Sequence, residues 1–343
     1  MAGLCKNMVA CLHIVRTRTA RFSLSAGAFA QDLNGVNEGM KQDVNFNGGG
    51  LRLAGHLYIP EGALGGPLPA IVVGHPGTGV KEQTAGLYAQ RLADAGFVAL
   101  TFDAAHQGES EGMPRNLEDP ARRVEDFKAA VSFLSAHAEV DPQRIGALGV
   151  CASGGYAVAA AVGDVRIRAL ATVSAVDMGR QFRVGADGMQ DQGVFSQLLQ
   201  GAAAARTAAA RGEGMGVFPI FPESGQQALS GGQHLYDGWE YYCTPRAQHP
   251  RSAKGLTWDS IDRIANFDAF RYVQTISPRP LLMIAGSKAV SSWMSSEAID
   301  MAREPKELFW IEGASHVDLY DKPQFVGPAV ARLADFFRVT LPA

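Results

Sequence analysis

The sequence predicts an α/β fold: a mostly parallel sheet with helices on both faces and an inserted helical cap. Three observations carry that expectation. Strands and helices alternate along most of the chain. The strands read as unbroken apolar runs, such as PAIVVGH at 69–75, which suits strands buried on both faces. Residues 178–277 hold no strand of comparable quality and are far longer than a simple crossover needs.

The elements follow in order. Residues 43–60 alternate and end in Pro60, which reads as an antiparallel edge hairpin. The run at 69–75 is the first buried strand. Residues 82–95 are helical, with Leu87 and Leu92 on the apolar side and Gly96 as the stop. Residues 97–102 form the next strand. Asp119 and Pro120 read as an N-cap followed by proline at the first helical position. Val124, Phe127, Val131 and Leu134 then make one buried stripe. Strands follow at 145–151, 169–176, 280–285 and 307–311. A helix from Pro328 closes the chain, with Val330, Leu333 and Phe337 facing inward. Within the cap, an Ala-rich helix at 201–211 precedes a Gly/Pro-rich passage and the aromatic group Trp239, Tyr241 and Tyr242. That group lines a substrate pocket or forms the small core of the cap.

Composition bounds the function. The chain has 343 residues, 47% hydrophobic and 19% charged, enough for one large domain with an insertion. A net charge of -3 gives no general field for nucleic acid or an anionic membrane. No apolar run approaches the ~20 residues that span a bilayer. Cys5, Cys11, Cys151 and Cys243 match neither a zinc module nor a disulfide framework. The expected partner is a small-molecule substrate, without metal or organic cofactor; a homo-oligomer is compatible with the composition. Residues 1–40 read as a poorly ordered extension before a domain over 41–343. They carry Lys6, Arg16, Arg18 and Arg21, and no acid precedes Asp32. Ala28-Phe29-Ala30 resembles a cleavage site, so a signal or transit peptide is the alternative to a cytoplasmic protein.

The most informative stretch is RIGALGVCASGG at 144–155. A buried strand runs into a tight turn of small residues, then a helix. Such a strand–turn–helix exposes one side chain at the top of a sheet as a nucleophile. The turn needs small residues two before and two after it. Cys151, between Gly149 and Ser153, satisfies this; so does Ser153, between Cys151 and Gly155. Strand length favours Cys151, since Ser153 would already lie in the helix. A buried, inert thiol is the bland alternative. WIEGASHVD at 310–318 places His316 in a loop after a late strand, where a general base belongs. His75 and His106 also sit at strand ends. The loop after the strand ending at Ala285 reads GSKAVSS and has no carboxylate, so Asp177 is the best substitute acid; Asp318 reads as local. The amides of Ala152 and of Thr78 or Gly77 would form an oxyanion hole, with Thr78 preferred.

At this point the chain resembles a family. GVCASGGY is similar to the elbow of dienelactone-hydrolase-like α/β-hydrolases, which carry Cys where most relatives carry Ser. HPGTGVKEQTA (75–85), FDAAHQGES (102–110), YYCTPR (241–246), ISPRPLL (276–282) and GASHVDLYD (313–321) resemble a subgroup of uncharacterised bacterial-type members. The resemblance implies the α/β-hydrolase fold and a Cys–His pair at Cys151 and His316, but supplies no substrate. The expected activity is hydrolysis of an ester, lactone or thioester through an acyl-enzyme. A Ser153-dependent esterase or peptidase is one rival. A non-hydrolytic ligand-binding protein is the other, supported by the missing carboxylate.

Overall fold

The computed structural model describes residues 40–62 and 66–342, so the expectations for 1–39 lie outside the described residues. The chain opens with a hairpin, β1 (Met40–Gly48) and β2 (Leu51–Ile59), paired antiparallel. Then come β3 (Leu68–Gly74), α1 (Thr84–Asp94), β4 (Val98–Phe102), α2 (Pro120–Ser135), β5 (Val140–Val150), α3 (Ala152–Gly163) and β6 (Ile167–Val173). The cap segment holds α4 (Met178–Val184), α5 (Gln192–Ala210), β7 (Val217–Pro219), α6 (Gly225–Ser230), α7 (Gln233–Cys243), β8 (Gly255–Thr257) and α8 (Ser260–Ala265). The chain ends with β9 (Leu281–Gly286), α9 (Ser292–Met301), β10 (Lys306–Ile311), α10 (Asp318–Asp321) and α11 (Pro323–Thr340).

One eight-stranded sheet runs β1-β2-β4-β3-β5-β6-β9-β10. Only β2 is antiparallel to its neighbours; the rest are parallel. The apolar runs explain why. Along β3, Ala70 and Val72 face one layer while Ile71 and Val73 face the other. Leu281 and Met283 of β9 alternate with Leu282 and Ile284 in the same way. Period-two packing on two faces needs helices on both. Phe127, Val131 and Leu134 of α2, with Tyr156 and Ala157 of α3, cover one face. Tyr88 and Leu92 of α1, with Leu333 and Phe337 of α11, cover the other.

Several ends are where local chemistry predicts. Asp119 Oδ1 accepts from the Ala121 and Arg122 amides and starts α2 at Pro120. Gly96 takes φ 98° just beyond α1. The last helix starts earlier than its sequence suggests, at Pro323, and carries Pro328 inside its first turns. The Ala-rich cap helix also starts earlier, at Gln192, where Asp191 Oδ1 accepts from the Gly193 amide. No helix among the described residues is long and apolar enough to cross a membrane.

Sheet order positions the site. From β3 the chain moves outward to β4, then returns to β5 on the other side of β3. The connections after β3 and β5 therefore part at the carboxyl edge, which is where open parallel sheets form a crevice. The loop at 75–79 and the turn at Cys151 flank that crevice.

Candidate functional site

Cys151 stands at the end of β5 with φ 55° and ψ −120°, immediately before α3. A β-carbon makes this backbone costly, about 1–3 kcal/mol, and surrounding structure must enforce it. It does so with hydrogen bonds. The Cys151 amide donates to Val173 O at 3.0 Å, and Cys151 O accepts from Gly154 and Val176 at 2.8 and 2.9 Å. The glycines are steric requirements. A β-carbon on Gly149 would lie 2.0 Å from Ser153 O, and one on Gly155 would lie 2.5 Å from Val176 O. Gly149→Ala is therefore expected to prevent the elbow from closing. Circular dichroism and urea melting should show a loss at the upper end of single-substitution effects, about 4 kcal/mol or more.

The thiol is half-buried. Burial pushes its pKa up, against the downward pull of Tyr320, of the Ala152 and Gly77 amides and of the Arg123 charge. The two amides reach it from opposite sides of the crevice, one from the start of α3 and one from the loop after β3. From that loop it is the Gly77 amide that lowers the thiol pKa. Thr78 has φ 63°, and its carbonyl accepts from Ala253 N and Ser252 Oγ, tying the loop to the cap.

Ser153 is placed differently. It is buried in the first turn of α3, where its hydroxyl donates to His75 O at 2.5 Å and accepts from Arg123 Nη2 at 3.1 Å. Its oxygen thus ties the elbow to the loop that carries Gly77. His75 belongs to the same support. Its Nδ1 is 2.7 Å from Pro76 O, and its Nε2 accepts from Ala104 N at 3.1 Å. Arg123 is the centre of this support, with Glu118 Oε1 3.4 Å from its Nε and the Tyr156 ring beneath its guanidinium. His106 has φ 70° and pairs with Pro114 O, outside this cluster.

His316 is buried in the loop after β10. Its Nδ1 lies 2.6 Å from Ser291 Oγ, and its Nε2 lies 3.1 Å from Tyr320 Oη. Burial, and next the nearby His234, hold its pKa well below the usual histidine range. The His234 ring meets it edge-on at 5.2 Å. The imidazole is therefore neutral at neutral pH. Ser291 comes from the very loop after β9 that lacks a carboxylate. Because a hydroxyl can occupy an acceptor position that a carboxylate usually fills, scanning that loop for acids passes over it.

Asp177 does not reach His316. Its Oδ1 accepts from Arg180 N at 3.1 Å, capping α4, and its Oδ2 accepts from Ala269 N at 2.8 Å. Both oxygens hold backbone amides, and the strand-end position is the start of the cap. Asp177→Ala should lower stability by about 1–2 kcal/mol through the lost cap, with a further cost for the buried Ala269 amide. Urea melting should show this while folded protein keeps its turnover.

The cap reaches the site through α7. Tyr241 and Tyr242 are buried against Tyr320, with ring centroids at 5.1 and 6.5 Å, whereas Trp239 packs against Gly225 of α6. Arg246 pairs with Asp321 at 2.6 Å and with Glu240 at 2.9 Å, clamping α10 beneath α7. Asp318 stays local: it accepts from Ser315 N and pairs with Lys322. Elsewhere, Lys81 Nζ lies 2.9 Å from Asp103 and 2.6 Å from Glu109, joining the motifs at 75–85 and 102–110. No group of three or more His, Cys, Asp or Glu among the described residues is placed to hold a metal ion.

Known proteins resemble this chain over most of its length. The model of the dienelactone hydrolase family matches residues 53–175, from β2 through the end of β6. The uncharacterized protein YcjY of Escherichia coli is 42% identical over 273 residues, covering 79% of this chain and 89% of that protein. The uncharacterized protein PA2218 of Pseudomonas aeruginosa is 41% identical over 293 residues, covering 84% of this chain and 77% of that protein. Its crystal structure superposes with a TM-score of 0.83, over 89% of this chain and 95% of that one. Thiohydrolase aneE of Aspergillus aculeatus is 28% identical over 295 residues, covering 83% of this chain and 88% of that protein. With the eight-stranded sheet and the elbow in place, this chain belongs to the dienelactone hydrolase family and is a hydrolase of the α/β-hydrolase fold.

Proposed function

We propose that this protein cleaves an ester, lactone or thioester through an acyl-enzyme on Cys151. The observation that carries this reading is the left-handed backbone of Cys151, with the Ala152 and Gly77 amides converging on its sulfur. Donors held beforehand at one point stabilise the negative charge that develops on a carbonyl oxygen under attack. When the sulfur swings towards substrate, those amides face the oxyanion. The N-terminus of α3 adds its partial positive charge at the same place. His316, neutral at rest, is the base for the thiol proton, and Ser291 holds its other nitrogen as a positioning residue. The imidazolium then protonates the leaving alcohol or thiol, and water attacks the acyl-enzyme with His316 again as base. The family favours a lactone or ester; the name of thiohydrolase aneE favours adding thioesters to the panel.

The rival nucleophile is disfavoured by the two hydrogen bonds that occupy the Ser153 hydroxyl under the elbow. Intact-mass analysis tests the whole reading. After exposure to p-nitrophenyl esters, a lactone series and N-acetylcysteamine thioesters, peptide mapping should place an acyl adduct on Cys151. An adduct on Ser153 would sink the thiol mechanism. No adduct and no turnover across the panel would favour the non-hydrolytic reading.

A further inference from the structure

The ring nitrogens of His316 are bonded to Ser291 and Tyr320, and neither is bonded to Cys151. Tyr320 fills the interval. It lies four residues beyond His316, on the single turn of α10, and is buried. Its hydroxyl is 3.1 Å from His316 Nε2, and hydrogen bonding to the same hydroxyl pulls the Cys151 thiol pKa down. Its position is not incidental packing. Tyr320 O accepts from Thr84 Oγ1 at 2.9 Å, Leu319 O accepts from Tyr88 Oη at 2.8 Å, and Arg246 holds Asp321. Two hydrogen bonds from α1 and one ion pair from the loop after α7 therefore fix the turn that aims this hydroxyl.

We propose that Tyr320 is a catalytic residue whose hydroxyl relays the proton between Cys151 and His316. The proposal rests on the Cys–His reading above. A phenol has one proton and can accept as well as donate. At rest the thiol keeps its proton, and the Tyr320 O–H donates to neutral Nε2. Before Cys151 attacks, the S–H bond breaks and its proton passes to Tyr320 Oη. The Tyr320 O–H bond breaks in the same event, and that proton bonds to Nε2. Tyrosine begins and ends neutral; the products are thiolate and imidazolium, with Nδ1–H donating to Ser291 Oγ. Reversal returns the proton towards the leaving group. Burial holds the Tyr320 pKa far above neutral, so the hydroxyl stays protonated between turnovers. Tyr241 and Tyr242 face the phenol, His234 faces the imidazole, and Arg123 is the cation acting on the thiol. None of these supplies a carboxylate that could take the proton instead.

The test is the pH profile of Cys151 alkylation by iodoacetamide, read at that cysteine by peptide mass. A relayed base makes the rate nearly independent of pH between about 7 and 9, because the neutral imidazole is already available. Tyr320→Phe should steepen the profile to about tenfold per pH unit, as for an unassisted buried thiol, with a loss on the order of 100-fold at pH 7. His316→Ala should give the same profile, and the double variant should be no slower. A flat profile in Tyr320→Phe beside a steep one in His316→Ala would overturn the relay and leave the Cys–His pair intact. A single profile shared by the parent and His316→Ala would overturn the pair itself, and the relay with it. If Tyr320→Phe fails to fold, 3-fluorotyrosine at 320 keeps the ring and changes only the acidity of the hydroxyl. The relay then requires an altered pH 7 rate, and an unchanged rate would overturn it.

Discussion

Cys151→Ala should abolish both acylation and turnover, the largest effect expected of any substitution in this protein. In the best-studied serine case, removing the nucleophile of such a triad costs about a million-fold. The comparison that gives the result meaning is Ser153→Ala. Its hydroxyl is hydrogen-bonded to His75 O and Arg123, so its loss removes support for the loop bearing Gly77. The cost should appear in stability, at about 1–3 kcal/mol for orphaned buried groups. Turnover of p-nitrophenyl acetate by folded Ser153→Ala should stay within an order of magnitude of the parent, a modest loss beside that of removing a nucleophile. A dead Ser153→Ala beside an active Cys151→Ala would place the nucleophile two residues further on.

His316→Ala should carry the next largest effect, because it removes the proposed acceptor for the thiol proton. General-base catalysis is worth about 10²–10⁴-fold, and a thiol sits towards the lower part of that range. The pH dependence adds a second signature. Burial holds the His316 pKa well below its ordinary 6.5, so the base remains neutral through mildly acidic solution. The acid limb of kcat/KM in the parent should therefore lie below pH 6.5, not at it. Stability follows the same direction. The unfolded chain binds this proton more tightly than the folded one, so the stabilising contribution of His316 is full above 6.5 and is lost as pH falls below it. The alanine variant should lose that part of the pH dependence of urea unfolding. An acid limb at or above 6.5 in the parent would show that a different group, or an ionised His316, governs the reaction.

Much of this was legible because local chemistry left few choices. PAIVVGH read as a strand buried on both faces, and Asp119-Pro120 as the opening of a helix. The elbow was legible for a steric reason: Gly149 and Gly155 have no room for a β-carbon, which is why small residues surround Cys151. His316 was legible from its strand-then-loop position. Tyr320 was not, although GASHVDLYD contains it, because nothing in that string says which side of α10 faces the thiol. Ser291 was not, because a search for a charged partner passes over a hydroxyl.

Long-range geometry accounts for the difference. The sequence by itself determined the order and burial of the strands and the tight turn, and it singled out Cys151, with Ser153 as rival, and His316 as candidates, since each depends on neighbours within a few positions. Only the tertiary structure decided where the side chains between them point. Asp177 was drawn to the amides of Arg180 and Ala269, and Ser291 to His316. A hydrogen bond forms within about 3 Å, and these groups meet at that range only after the sheet has brought distant loops to one edge.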